Sequence, residues 1–282
     1  MKTQKAVISP KQPFFVLATG EYFKVPVMQY GISHFYCYRT DSDPEKSNIL
    51  AVPDGCVDLI CYCDEGAGKQ GKAIFYGTVF EPEEIAFRPD SYIFGVRFLP
   101  CYNPVSTVPE LFPLLAHEKT ADARDVMRDM TTLDAVMATT DFRTQIRTFM
   151  DAYMKNHKPQ GADTGPLPLS GYVAGEIVRT AGSAKFEEIA DEAGYSTRYL
   201  NRMFTDAFGF SPKTFSRIMR FQNMIGALCV GKEPDFSEFA AELGYADQSH
   251  MIKDFKEFVH LTPKKYLNAL NTGHYNEKLI IL

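Results

Sequence analysis

Residues 187–212 read EEIADEAGYSTRYLNRMFTDAFGFSP, and the fold of the C-terminal half follows from how this stretch divides. Ile189, Ala190 and Ala193 recur at helical spacing, which predicts a short amphipathic helix. Gly194 then lets the chain leave the helix without a Cβ penalty. Ser196 stands where an N-cap is needed, its hydroxyl placed to accept from the free amides of the next turn. Beyond it, Leu200, Met203, Phe204 and Phe208 mark the buried face of a second helix. Thr197, Arg198, Asn201 and Arg202 mark the opposite face. Two helices joined this tightly form a helix-turn-helix, whose second helix can enter a DNA major groove. Taken alone, the stretch also fits an ordinary solvated helical hairpin.

A repeat separates the two readings. Residues 236–266, FSEFAAELGYADQSHMIKDFKEFVHLTPKKY, restate the pattern. Before the turn the register is fixed: Ile189 answers to Phe239, Ala190 to Ala240, Gly194 to Gly244 and Tyr195 to Tyr245. After the turn it slips by one residue, so that Leu200 answers to Met251, Phe204 to Phe255, Pro212 to Pro263 and Phe215 to Tyr266. A slip confined to the turn, with both flanking cores preserved, points to duplication of one structural unit. The motifs GYSTRYLNRMF, FGFSPKTF, GYADQSHMIKDF and LTPKKYL resemble the AraC/XylS family of bacterial transcription regulators over about the last hundred residues.

That resemblance implies two helix-turn-helix units joined by a long helix, each reading one segment of major groove in double-stranded operator DNA. Carried over residue by residue, the DNA-facing positions are Ser196, Thr197, Arg198, Asn201 and Arg202 in the first unit. In the second they are Gln248, Ser249, His250 and Lys253, with Asp247 in the N-cap place of Ser196. Arginine can chelate guanine and asparagine can pair with adenine. Pro212 suits the first turn of the joining helix, about 18 residues and roughly 27 Å long. From that helix Arg217 and Arg220 are expected to reach the DNA backbone. His260 stands where the first unit has Gly209, so the turn after the second recognition helix is expected to differ.

The net charge of −5 argues weakly against nucleic acid, and acids slightly outnumber bases even from Asp163 onward. Placement matters more than the sum, because phosphates respond to the face presented to them. Between Ser196 and Arg220 stand Arg198, Arg202, Lys213, Arg217 and Arg220, with Asp206 the only acid.

The first half reads as β. FFVLAT, GISHFYCYRT, NILAV, VDLICYC, AIFYGTVF, EEIAFR and YIFGVRFL are short, rich in aromatic and β-branched residues, and separated by Pro, Asp and Gly turns. Such spacing suggests a sandwich or small barrel. Met1 to Pro13 reads as a mobile arm or an edge strand. VPDGCVDLI and the later GVRFLP resemble a cupin-like N-terminal domain of some AraC-type regulators, which implies a sensor for a small-molecule effector. His34 is the only histidine in the β region, so no metal centre or cofactor is expected. Asp58 and Arg97 are charges within apolar strands. They lie on solvent faces, pair with each other or, with Tyr36, line a lumen for a polar ligand. Cys61 and Cys63 share a strand face and read as small hydrophobes, with a redox role as the alternative.

From Thr131 to His157 the period turns helical. Phe142, Ile146, Phe149, Met150 and Tyr153 form a stripe that packs on its own domain or makes a dimer contact. Lys158 to Leu169 is broken by prolines and glycines and reads as a linker. The expected organisation is thus α+β: a β sensor over 1–115, a helical segment over 116–157, a linker over 158–169, an all-α double helix-turn-helix over 170–272, and a tail over 273–282. No secretory signal or membrane-spanning run is seen, and the six cysteines fit a reduced cytoplasm. The family's Pro-Cys-His-Arg acceptor motif and any nucleophile–base pair are missing, so an enzyme is not expected. The function expected is a DNA-binding regulator acting as a homodimer, an activator that contacts RNA polymerase or else a repressor. Its control is by a small molecule or, alternatively, by a protein partner or cysteine redox state.

Overall fold

The computed structural model describes residues 9–63, 71–105, 108–127, 130–156, 168–230 and 234–282; most of the expected linker lies outside them. The described strands are β1 (Tyr22–Gln29), β2 (Ile32–Arg39), β3 (Asn48–Ala51), β4 (Asp58–Cys63), β5 (Lys72–Tyr76), β6 (Glu83–Ala86), β7 (Tyr92–Phe98), β8 (Thr120–Asp122) and β9 (Leu279–Ile281). Seven of them form one sheet in the order β8-β5-β4-β7-β2-β1-β9, and β3 pairs with β6 separately. The large sheet does not close between β8 and β9, so the expected barrel or sandwich takes the form of an open sheet with a small sheet over one face. Its β1–β2 hairpin turns at Tyr30 and Gly31, both at positive φ, the combination that matches the twist of the flanking strands.

The helices before the linker region are α1 (Pro13–Leu17), α2 (Leu111–Glu118), α3 (Ala123–Val126), α4 (Thr131–Met137) and α5 (Phe142–Asn156). Strand alternation sorts the sheet into two faces, both buried. On one, Phe35 and Phe94 meet Phe149 and Phe142 of α5, with ring centroids 5.8 and 6.1 Å apart. Tyr153 likewise lies 6.2 Å from Phe98. The α5 stripe therefore packs on its own domain. The opposite face carries Tyr36, Tyr38, Asp58, Tyr62 and Arg97, placed together by the pairing of β2, β4 and β7. Phe87, just after β6, covers Tyr38 and Tyr62 from the small sheet. Gly95 is required there, since a Cβ would stand 2.0 Å from the Tyr36 ring.

The C-terminal helices are α6 (Leu169–Arg179), α7 (Phe186–Ala193), α8 (Thr197–Phe208), α9 (Pro212–Leu228), α10 (Phe236–Glu242), α11 (Gln248–Val259), α12 (Pro263–Thr272) and α13 (Tyr275–Lys278). They pack directly on the β half. Phe112 of α2 meets Phe208 of α8 edge-on at 5.5 Å, and Phe80 lies 5.3 Å from Phe210. Gly55 sits under Phe215 of α9 so closely that a Cβ would approach the ring to 2.7 Å. Phe14 of α1 meets Tyr266 of α12 at 5.8 Å. Each buried Phe adds roughly 1.5–3 kcal/mol.

Two segments differ from the sequence expectation. Residues 9–13 form neither arm nor edge strand: Lys11 and Gln12 are bonded into the boundary between the halves, and Pro13 starts α1. The tail over 273–282 contributes β9, which runs parallel to β1 with Tyr22 opposite Leu279 and Lys24 opposite Ile281. Three residues are too few to show a strand period. Among the described residues, no helix is long and apolar enough to cross a membrane.

Candidate nucleic-acid interface

The two units close their first helices in the same way. Gly194 lies at φ 74, with Tyr195 N donating to Ala190 O at 3.1 Å and Gly194 N to Asp191 O at 3.1 Å. Gly244 lies at φ 76, with Tyr245 N donating to Ala240 O at 2.9 Å and Gly244 N to Ala241 O at 3.1 Å. Both are Schellman turns, which satisfy the last carbonyls and reverse the chain. The recognition helices then start on side-chain caps. Ser196 Oγ accepts from Tyr199 N at 3.3 Å, and Asp247 Oδ1 accepts from His250 N at 2.7 Å. The one-residue slip falls between turn and cap.

Leu200, Phe204 and Phe208 bury one face of α8, and Met251, Phe255, Phe258 and Val259 bury that of α11. Ser196, Thr197, Arg198, Asn201 and Arg202 remain exposed on the first unit. Gln248, Ser249, His250 and Lys253 remain exposed on the second. Both exposed faces begin at helix N-termini, whose positive dipole end favours phosphate. His260 adopts the left-handed conformation of Gly209, φ 56 against φ 79, and its N–H likewise closes the helix, on Lys256 O. The expected difference in that turn is therefore not found. Histidine holds the conformation at a cost of about 1 kcal/mol.

Arg217 is placed differently from the other candidates. Its Nη2 donates to Asp254 Oδ1 at 2.9 Å and to Glu257 Oε2 at 2.7 Å, so the side chain ties α9 to α11. Asp254 is only 6% exposed. Arg220 donates to Gly182 O at 3.0 Å and covers the Tyr245 ring. Both guanidinium groups brace the second unit.

On the sheet face behind α9, Tyr36, Asp58 and Arg97 form one buried cluster. Arg97 Nη2 meets Asp58 Oδ2 at 2.6 Å, and Arg97 Nε lies 3.0 Å from Asp58 Oδ1. Tyr36 OH donates to Asp58 Oδ1 at 3.1 Å. Burial pushes Asp58 above the ordinary carboxylate range, and the Arg97 charge opposes that push. Asp54, which the sequence reading took for turn material, is the second acid of the cluster, 3.3 Å from Arg97 Nη1. Gln12 Nε2 donates to Asp54 Oδ2 at 2.9 Å. One residue earlier, Lys11 N donates to Gln222 Oε1 of α9 at 2.8 Å, and Gln222 Nε2 donates to Pro53 O at 2.7 Å. Polar contacts thus run unbroken from the sheet interior to the helix that joins the two units.

Lys24 was also missed in the sequence, where a lysine in YFKVPV looks like an edge residue. It is 7% exposed, and among the described residues no carboxylate pairs with it. Burial, with Lys11 and Arg97 nearby, lowers its pKa to about 7. His34 is buried beside the same cations and held well below its usual range by burial first. Among the described residues, the buried Tyr38 hydroxyl has no hydrogen-bond partner. Burial likewise raises the thiols of Cys61 and Cys56. Elsewhere, a cleft of about 520 Å³ opens by Phe23, Tyr92, Phe142 and Arg143. Among the described residues, no group of His, Cys, Asp and Glu is placed to hold a metal ion.

Residues 189–269 match the helix-turn-helix domain family, and residues 26–107 match a domain of unknown function (DUF6597). No curated protein matches the chain in sequence. Among solved structures it is similar to an apo form of ToxT from Vibrio cholerae, at 11% identity over 85% of this chain and 98% of that one, TM-score 0.45. It is also similar to ToxT bound to an unsaturated fatty acid, at 12% identity over 89% of this chain and 95% of that one, TM-score 0.38. The C-terminal domain of AraT, a response regulator from Geobacillus stearothermophilus, aligns at 22% identity over 36% of this chain and 84% of that one, TM-score 0.34. The C-terminal part of the chain thus carries a helix-turn-helix domain.

Proposed function

We propose that this AraC-type DNA-binding transcription regulator reads two successive major-groove segments with α8 and α11, under the control of a small anionic effector seated at Lys24. The observation that carries the effector reading is a buried lysine without an acid, on the face from which Asp54, Gln12 and Gln222 lead to α9. A buried ammonium is costly unless a counter-charge arrives. A carboxylate supplies that charge beside the Tyr22–Tyr36 stack, whose rings lie 5.6 Å apart. By favouring one seating of α9 against the Pro53 loop, the effector shifts the spacing of the two recognition helices.

Titration of the full-length protein with a long-chain unsaturated fatty acid and with its methyl ester tests this reading. The acid is expected to bind and change DNA affinity, the ester to do neither, and Lys24→Met to abolish the response to the acid. Equal binding of the acid by Lys24→Met sinks the assignment, and loss of binding in Arg143→Ala instead places the effector in the outer cleft.

A pH dependence follows from the same lysine. In the unfolded chain the ammonium keeps its proton to about pH 10, whereas in the folded apoprotein it gives it up near 7. Between those values the unfolded state binds more protons, so the stability of the apoprotein rises with pH. A bound carboxylate favours the charged lysine, so binding takes up a proton above pH 7 and effector affinity falls toward pH 9. Calorimetric titration at pH 6.5 and 9 measures this, and a flat profile contradicts it.

In the full reading, two copies occupy one operator in the cytoplasm and activate transcription through contact with RNA polymerase. Sedimentation of the protein with a bound duplex counts the copies, and a single copy per duplex removes the dimer from the account.

A further inference from the structure

Tyr195 and Tyr199 are 49% and 41% exposed, in a chain that buries most of its aromatic rings. They stack on one another with centroids 5.2 Å apart and planes 20° from parallel. The Arg202 guanidinium lies 5.8 Å from the Tyr199 centroid. The duplicated unit treats the same positions differently. Tyr245, the counterpart of Tyr195, is 6% exposed, lies under Arg220 at 5.1 Å, and meets the His250 ring edge-on at 5.4 Å. His250 is the counterpart of Tyr199. The second unit therefore covers Tyr245 from within the chain while His250 stays exposed, and the first leaves both of its rings open beside the arginines of α8.

Position on the helix decides what meets the pair. At about 100° per residue, Tyr199 flanks the stripe of Arg198 and Arg202, on the side away from Asn201. With that stripe in a major groove, flanking groups face the sugar–phosphate wall, not the base edges. We infer that the stacked Tyr195–Tyr199 pair is a backbone clamp of the first unit, its hydroxyls donating to DNA phosphates and its rings packing on deoxyribose. Stacking fixes both rings in the free protein, so little side-chain freedom is lost on binding. The clamp positions α8 in the groove and makes the first unit the stronger anchor of the two. It rests on the groove reading of α8.

The test uses the full chain and a duplex chosen by selection from a random pool. Tyr195→Phe and Tyr199→Phe keep the ring stack and remove only the hydroxyls, so folding is preserved. Each is expected to weaken binding about ten- to hundred-fold, the usual size of a lost hydrogen bond to a charged group. The loss should be equal on the selected duplex and on single-base variants of it, leaving the specificity ratio unchanged. A methylphosphonate at the contacted phosphate should weaken wild type and leave the Phe variant unaffected. Unchanged affinity of the double Phe variant, or a loss confined to one base pair, overturns the clamp. Arg202→Ala distinguishes the failures: if it weakens binding while the Phe variants do not, only the clamp falls. If none of them weakens binding, the groove reading of α8 falls as well.

Discussion

Replacing Arg97 with leucine is expected to lower folding stability by about 3–5 kcal/mol, the range found when one partner of a buried ion pair is removed. Arg97 is 3% exposed, and Asp54 and Asp58 beside it are 3% and 8% exposed. Without the guanidinium, two carboxylates remain in the sheet interior with Tyr36, Gln12 and the Cys56 amide as their hydrogen-bond donors. Both are buried away from solvent that could replace the lost charge. Urea titration of the variant measures the loss. Adding Asp58→Leu should recover part of it, because an apolar replacement of both partners leaves fewer uncompensated charges. A loss below about 1 kcal/mol would mean that water reaches the cluster, as it does a surface pair. The destabilisation should also be accompanied by a weaker hold on α9, since Asp54 loses the partner that orients it toward Gln12.

The second large effect concerns DNA. Arg202→Ala is expected to weaken binding to a specific duplex by about 1–3 kcal/mol and to relax preference at one base pair. Arg202 is exposed on α8, opposite the face that Leu200 and Phe204 bury. Its removal disturbs no buried contact. Arg217→Ala should behave differently, because its charge is bonded to Asp254 and Glu257. There the loss falls on the packing of α9 against α11, and affinity for all sequences declines together. Competition between a selected duplex and its single-base variants separates the two patterns. Unchanged affinity and base preference in Arg202→Ala would remove α8 from the groove.

The helix-turn-helix units were legible because their determinants are local. Gly194 and Gly244, the caps at Ser196 and Asp247, and the prolines at 212 and 263 each act within one turn of chain. Their structural consequences follow from short spacing. What the sequence did not disclose is long-range. Arg217 finds Asp254 at a separation of 37 residues, and Gln222 finds Pro53 at 169. No periodicity reports such meetings. Strand alternation correctly put Asp58 and Arg97 within apolar strands but left open whether they met a ligand or each other. The register across β4 and β7 sets Asp58 opposite Arg97, where they form an ion pair. The α5 stripe reads first as domain core and second as a dimer contact, and Phe35 and Phe94 lie beneath it. Lys24 was hidden by a different cause: β9 and the helices that bury it come from the far end of the chain.

Selection of bound duplexes from a random pool by the full-length protein tests the central claim most directly. Two exposed recognition faces joined by α9, 17 residues long, predict an enriched motif of two short segments on one side of the helix. Their centres should lie about one turn, roughly 34 Å, apart. The segment assigned to the first unit should be the sharper one and should blur in Arg202→Ala. A pool without enrichment, or a single segment indifferent to Arg202→Ala, would contradict the account.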